Sequence, residues 1–177
     1  MEEQVKVPFL KPALIYGAIL GGVGVLLGLI FYFLDLTTAN WTQWVSFVVG
    51  IVVMVYCLIA YRNEYRGGFA SYGQIFTMAL AISIIAAIIG TIYTYLLFGL
   101  LDPDLVDKIR LAAEERIMNN PRIPESFYDQ AMERLEKSLS LKRMVMNAFI
   151  FGTVMNVILS LIVAAFVKKE PKADIPV

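Results

Sequence analysis

GGFASYGQIFTMALAISIIAAIIGTIYTYLLFGLL, residues 67–101, decides how the whole chain is read. From Ile75 to Leu101 it carries no charged residue, and it stops at Asp102-Pro103-Asp104. A helix rises about 1.5 Å per residue and a hydrocarbon core is about 30 Å thick. The stretch therefore predicts a membrane span over 74–101, longer than a straight crossing needs, so that it tilts or projects beyond the bilayer. Gly67-Gly68 and Gly73 punctuate the turn that leads into it. Asp102-Pro103-Asp104 has the form of a helix start, with a capping side chain and proline at the first helical position.

Working outward, three more apolar runs appear. Residues 13–34, ALIYGAILGGVGVLLGLIFYFL, follow a polar lead that ends in Pro12. This run is too long for the core of a cleaved signal peptide and ends in Phe31-Tyr32-Phe33-Leu34, so an uncleaved span is expected. The second span is expected over 44–61 and the fourth over 144–167, where Lys168-Lys169 stops it. Tyr32, Trp41 and Trp44 fall at span ends, as interface aromatics do. Residues 168–177 read as a disordered tail.

Between the third and fourth spans, residues 103–143 are the sizeable polar segment. Val106, Ile109, Ala113 and Ile117 share one helical face; Tyr128, Ala131, Leu135 and Leu139 share another. Asn119-Asn120-Pro121 separates the two stripes, and Pro124 opens the second helix. The pattern predicts an extramembrane αα-hairpin. Its acids balance its basic residues, unlike the Lys/Arg-rich face of a membrane-surface helix, so the hairpin is expected to stand in water. The expected fold is thus an all-α membrane protein: a single membrane domain of four transmembrane helices in an antiparallel bundle, with the hairpin inserted.

Composition agrees. The 177 residues are 59% hydrophobic, with mean hydropathy +0.70, against about 45–50% apolar in ordinary globular domains. Lys+Arg and Asp+Glu are both 15, for zero net charge, and no basic cluster tracks a phosphate backbone, so no nucleic-acid partner is expected. With the N-terminus inside, Lys6, Lys11, Arg62, Arg66, Lys168, Lys169 and Lys172 lie on the cytoplasmic side and the first outside link has no basic residue. The positive-inside rule then predicts both termini in the cytoplasm.

Small or polar residues recur at helical spacing on every span: Gly17, Gly21, Gly24 and Gly28; Ser46, Gly50, Val53, Cys57 and Ala60, with Val53 the exception in size; Ala79, Ser83, Ala86 and Gly90; Ala148, Gly152, Asn156 and Ser160. Lipid tails are as apolar as leucine, so such residues hold helices together by letting backbones approach. Each stripe is expected to face inward in one compact bundle. The Gly17–Gly21 and Gly24–Gly28 pairs also suit a homodimer face.

Little in the sequence supports catalysis. There is no histidine, and the lone Cys57 sits in an apolar run. None of the four spans carries an ionisable residue in its interior, which argues against proton coupling and leaves no base to activate a hydroxyl. Glu133 and Lys137 are helix-surface partners rather than part of a carboxylate pair. Gly67-Gly68 lacks the continuation of a phosphate-binding loop. No cofactor, metal site or enzymatic activity is expected. The polar intramembrane candidates are Thr91, Tyr93 and Thr94 on the third span and Asn147, Thr153 and Asn156 on the fourth. Of these, Thr91, Thr94, Asn147 and Asn156 are the set that could line one cavity. Helix packing is assigned to Gly17, Gly21, Gly24, Gly28, Gly90 and Gly152.

The turn Gly68-Phe69-Ala70-Ser71-Tyr72-Gly73-Gln74, the closing Ile92-Tyr93-Thr94-Tyr95 and Asp102-Pro103-Asp104, the hairpin and the last span together resemble the bacterial membrane family called domain of unknown function 4199, over residues 8–170. The resemblance implies four transmembrane helices with a helical hairpin between the third and fourth, in the bacterial inner membrane, and implies no activity. The expected role is a non-catalytic scaffold or interaction module, with the hairpin meeting a membrane-protein partner. The rival is a small channel or transporter for a neutral or lipophilic solute.

Overall fold

The computed structural model describes residues 9–170; the N-terminal lead with Lys6, and Lys172 in the tail, lie outside them. Six α-helices carry the fold: α1 Leu10–Phe33, α2 Asn40–Tyr65, α3 Tyr72–Leu96, α4 Leu105–Met118, α5 Tyr128–Ser138 and α6 Leu141–Val167. A π-helical turn, Leu97–Leu101, extends α3, and a 3-10 turn, Glu125–Phe127, leads into α5. No strand forms among the described residues. Four of the helices, α1, α2, α3 with its π-turn, and α6, are long and apolar enough to cross a membrane. They are apolar on their outer faces as well. Leu26 and Ile30, Val48 and Val52, Ile84 and Ile88, and Ile158 and Ile162 are exposed pairs one turn apart, as suits a lipid-facing surface rather than a soluble core helix.

The ends of these helices follow from local chemistry. Ser71 has extended backbone before α3, and its N–H donates to Gln74 Oε1 at 3.1 Å in a capping box. Gly67 and Gly68, at φ 60° and 87°, take the left-handed conformations that turn the chain out of α2. These two devices give the Gly-Gly and Ser-Tyr-Gly-Gln motif its physical content. At the other end of α3, Asp102 Oδ1 accepts the Leu105 N–H at 3.1 Å and Oδ2 accepts the Tyr32 hydroxyl at 3.0 Å. Asp102 thereby starts α4 and ties it to the end of α1.

Specific contacts set how the helices run. Along α1 and α3, Gly17 meets Ile85, Gly21 meets Ile89 and Gly28 meets Tyr93, so the two rise together. Along α1 and α2 the order is reversed: Phe31 packs edge-on to Trp41 with centroids 6.1 Å apart, and the Tyr16 hydroxyl donates to Glu64 at 2.8 Å. Between α3 and α6 it is reversed again, from Ala70 beside Lys169, through Ser83 and Ser160 at 3.4 Å, to Gly99 against Leu141. Helix α3 lies between α1 and α6 and packs along both.

The main buried cluster lies towards one end. Its largest fully buried side chains there include Met54, Leu58 and Tyr61 on α2 and Ile75, Met78 and Ile82 on α3, joined by Val163, Ala164 and Val167 of α6. Polar ties close the same end. An Arg62 N–H donates to the Val167 carbonyl at 2.8 Å, and Ala70 and Lys169 exchange two backbone bonds of 2.8 and 3.0 Å. Towards the other end α2 and α6 part around a cleft, while Leu97 and Leu105 are buried near the start of α4.

Two sequence expectations change accordingly. The bundle is not evenly packed: each small-residue stripe is buried near the terminal end and opens onto cavities further along. The chain is ordered past the predicted start of a disordered tail at 168, because Lys169 is held by Ala70; residues 171–177 are outside the described set. The helix that contains the expected fourth span begins at Leu141, where Ser140, in extended conformation, breaks it from α5.

Candidate functional site

The site begins where the core ends, at Ser160. Its hydroxyl bonds the Asn156 carbonyl at 2.7 Å and lies 3.4 Å from the Ser83 hydroxyl. A Ser or Thr hydroxyl bonded to the carbonyl four residues back keeps its own polarity satisfied within a helix. One turn beyond, Asn156 and Gly152 line two cavities at once. One cavity, of about 580 Å³, is a cleft between the first half of α2 and the middle of α6, with Trp44, Phe47, Gly50, Phe151, Met155 and Leu159 among its walls. The other, of about 330 Å³, lies among α1, α3 and α6 and includes Gly24, Gly90, Tyr93 and Thr94.

Glycines make this opening. A Cβ built at Gly24, Gly50, Gly90 or Gly152 would meet nothing within 4 Å. At Gly17, Gly21 and Gly28 it would sit 2.6–2.9 Å from Ile85, Ile89 or Tyr93. One class of glycine brings backbones together and the other leaves space. The sequence spacing is the same for both, which is why Gly24, Gly90 and Gly152 are read as packing positions from sequence and lie on cavity walls in the structure.

The four polar candidates separate in the same way. Thr94 and Asn156 line one cavity. Thr91 and Thr94 both spend their hydroxyls on their own helix, at the Ala87 and Gly90 carbonyls, 2.7 and 2.9 Å away. Thr91 and Asn147 are not among the residues lining either cavity, and Asn147 is exposed. Tyr93 contributes more than its sequence position suggests: its hydroxyl is buried without a hydrogen-bond partner, in the wall shared with Thr94. Thr153 Oγ1 on α6 is likewise buried and unpartnered.

Sequence reading missed Gln43 and took Ser46, which lines the same cleft, only as a packing position. Both fall near the boundary of the predicted span, but α2 already starts at Asn40, so they occupy one face of its first turns. Their three-residue spacing was the available signal. Gln43 also lines a third cavity, of about 260 Å³, between the α1–α2 link and α4. There Arg116 donates to the Thr38 carbonyl, and nearby Lys108 pairs with Asp35 at 3.4 Å.

Among the described residues no cluster of His, Cys, Asp or Glu is placed to hold a metal. Cys57 is buried, its thiol 3.9 Å from the Tyr16 carbonyl. Chemically, the site can enclose an apolar group and offer it an amide and hydroxyls.

Four long apolar helices in an all-helical chain define a multi-pass membrane protein. The chain belongs to the family described as "Protein of unknown function (DUF4199)", which matches over residues 15–169. Neither the curated proteins nor the solved structures contain a match to it.

Proposed function

We propose that this is a non-catalytic interaction module of the bacterial inner membrane. In this reading the four long helices cross the bilayer as an antiparallel bundle, and the α4–α5 hairpin stands in water to receive a membrane-protein partner. Both termini are cytoplasmic: Arg62, Arg66, Lys168 and Lys169 gather at the closed end, and the link at the opposite end carries no basic residue.

The observation that carries the reading is the apolar surface of the hairpin. Leu111, Met118 and Phe127 are 66%, 58% and 54% exposed, on a segment too polar to enter lipid. Leu111 and Met118 lie two turns apart on one face of α4. In this reading a partner covers these side chains. The hairpin is also anchored for such a task, through the Tyr32–Asp102 bond below it and the Tyr128 hydroxyl donating to the Met118 carbonyl at 3.1 Å within it.

The solute-passage reading draws on Thr94 and Asn156 lining one cavity. Against it, a packed cluster that includes Ile82, Met78 and Tyr61 fills the closed end.

The test is purification from native membranes in mild detergent, with the mass of the intact complex and its co-purifying proteins read from one sample. A stoichiometric membrane-protein partner is expected, and it is lost from Leu111→Glu/Met118→Glu while monomer yield and helical content are unchanged. A complex that survives both substitutions, or a chain that purifies alone, contradicts this reading.

A further inference from the structure

The three cavities adjoin one another across shared wall residues. Gln43 belongs to both the cavity under α4 and the α2–α6 cleft; Gly152 and Asn156 belong to both the cleft and the inner cavity. The series changes character along its length. Under α4 the walls include Thr37, Asn40, Thr42, Gln43 and Arg116. Arg116 is the only charged residue among those lining that cavity, and no acid faces it there. Its guanidinium gives one bond to the Thr38 carbonyl, and such a group carries five N–H donors. Deeper in, the cleft walls are predominantly aromatic and aliphatic, with Phe47 and Phe151 on facing helices.

We infer that this series is a binding site for one single-chain anionic amphiphile, a fatty-acid-like molecule. Its head sits at Arg116 and Gln43 beneath α4, and its chain lies in the slot between α2 and α6. Charge complementarity selects the head: one guanidinium with spare donors, no competing carboxylate, and polar neighbours to share its hydration. Shape selects the tail. Gly50 and Gly152 keep the slot open by lacking side chains, and its volume, about 580 Å³, is within the range of sites that enclose a small ligand. A slot one helix gap wide admits one chain. This inference is independent of the hairpin's role as a partner surface.

Trp44 lines the slot and reports on it directly. The experiment uses the full chain with Trp41→Phe, in nanodiscs of a neutral phospholipid, titrated with dibrominated stearate, whose bromines quench tryptophan at short range. Quenching of Trp44 is expected to saturate. Gly152→Leu fills the slot and should abolish the saturable part. Arg116→Gln should weaken binding roughly tenfold, the scale of one charge-assisted contact. The methyl ester of the same acid should bind as weakly to the unaltered chain as the acid does to Arg116→Gln.

Arg116 is exposed and a Cβ at Gly152 meets nothing, so both variants are expected to fold. Quenching that rises linearly with probe and ignores Gly152→Leu means bulk lipid only, and overturns the site. Equal affinity for acid and ester overturns the anionic head. A dimer that Gly152→Leu dissociates, with no saturable quenching, assigns the slot to a helix of a second copy and also overturns the proposal.

Discussion

Gly17→Ala is expected to destabilise the protein by about 1–3 kcal/mol, the cost of forcing a methyl into a packed interface. The new Cβ would lie 2.6 Å from Ile85 Cβ and 3.2 Å from the Ile82 carbonyl oxygen. Neither is the far end of a flexible chain, so α1 must move away from α3. That movement loses dispersion contacts along the whole pair, since Gly21 repeats the approach against Ile89. The control is Gly24→Ala, seven residues further along the same stripe. Its Cβ meets open space, and alanine is the better helix former by up to about 1 kcal/mol, so this variant should be neutral or slightly stabilising. Reversible unfolding in mixed micelles measures both. Equal effects of the two substitutions would show that α1 does not pack on α3 in this register.

Tyr61→Ala is expected to cost about 3–5 kcal/mol, as deletion of a buried aromatic does. Tyr61 is among the largest fully buried side chains. Its ring stacks on Tyr65 with centroids 6.0 Å apart, and its hydroxyl accepts the Arg66 Nε–H at 3.0 Å. Deletion would leave a void where α2 meets α3 and α6, beside the Arg62 bond that holds the end of α6. Tyr61→Phe separates the parts: it keeps the ring and loses the Arg66 bond, for about 1–1.5 kcal/mol. Thermal unfolding of the detergent-solubilised protein ranks them. If the two variants melt together, the ring does not fill the closed end.

The apolar runs were legible because they need only length and the absence of charge. The same holds for the turn before α3, where Ser71 and Gln74 are a local device three residues apart, and for Asp102, which caps α4 from its own chain neighbourhood. The site was not legible to the same degree, because it depends on which members of a repeating pattern meet a neighbour. Gly17 and Gly24 are equivalent in sequence, but Ile85 stands opposite the first and nothing opposite the second. Tyr93 illustrates the same limit: its ring closes on Gly28 across two helices, a pairing that no spacing within α3 encodes. Gln43 was hidden for a different reason. Its polarity places it outside a hydropathy-defined span, while the helix itself begins earlier, at Asn40.

The main buried cluster lies at the end where Ala70 meets Lys169, and the α2–α6 cleft opens further along. Oxidative cross-linking of paired cysteines in a Cys57→Ala chain, in native membranes, tests this most directly. Ser83→Cys/Ser160→Cys replaces two hydroxyls that lie 3.4 Å apart, and Gly50→Cys/Gly152→Cys places two thiols on opposite walls of the slot. A disulfide needs Cβ atoms about 3.5–4.5 Å apart. The account predicts rapid, near-complete cross-linking of the Ser83/Ser160 pair and little of the Gly50/Gly152 pair. Cross-linking of the slot pair as fast as the core pair, or failure of the core pair, would contradict it.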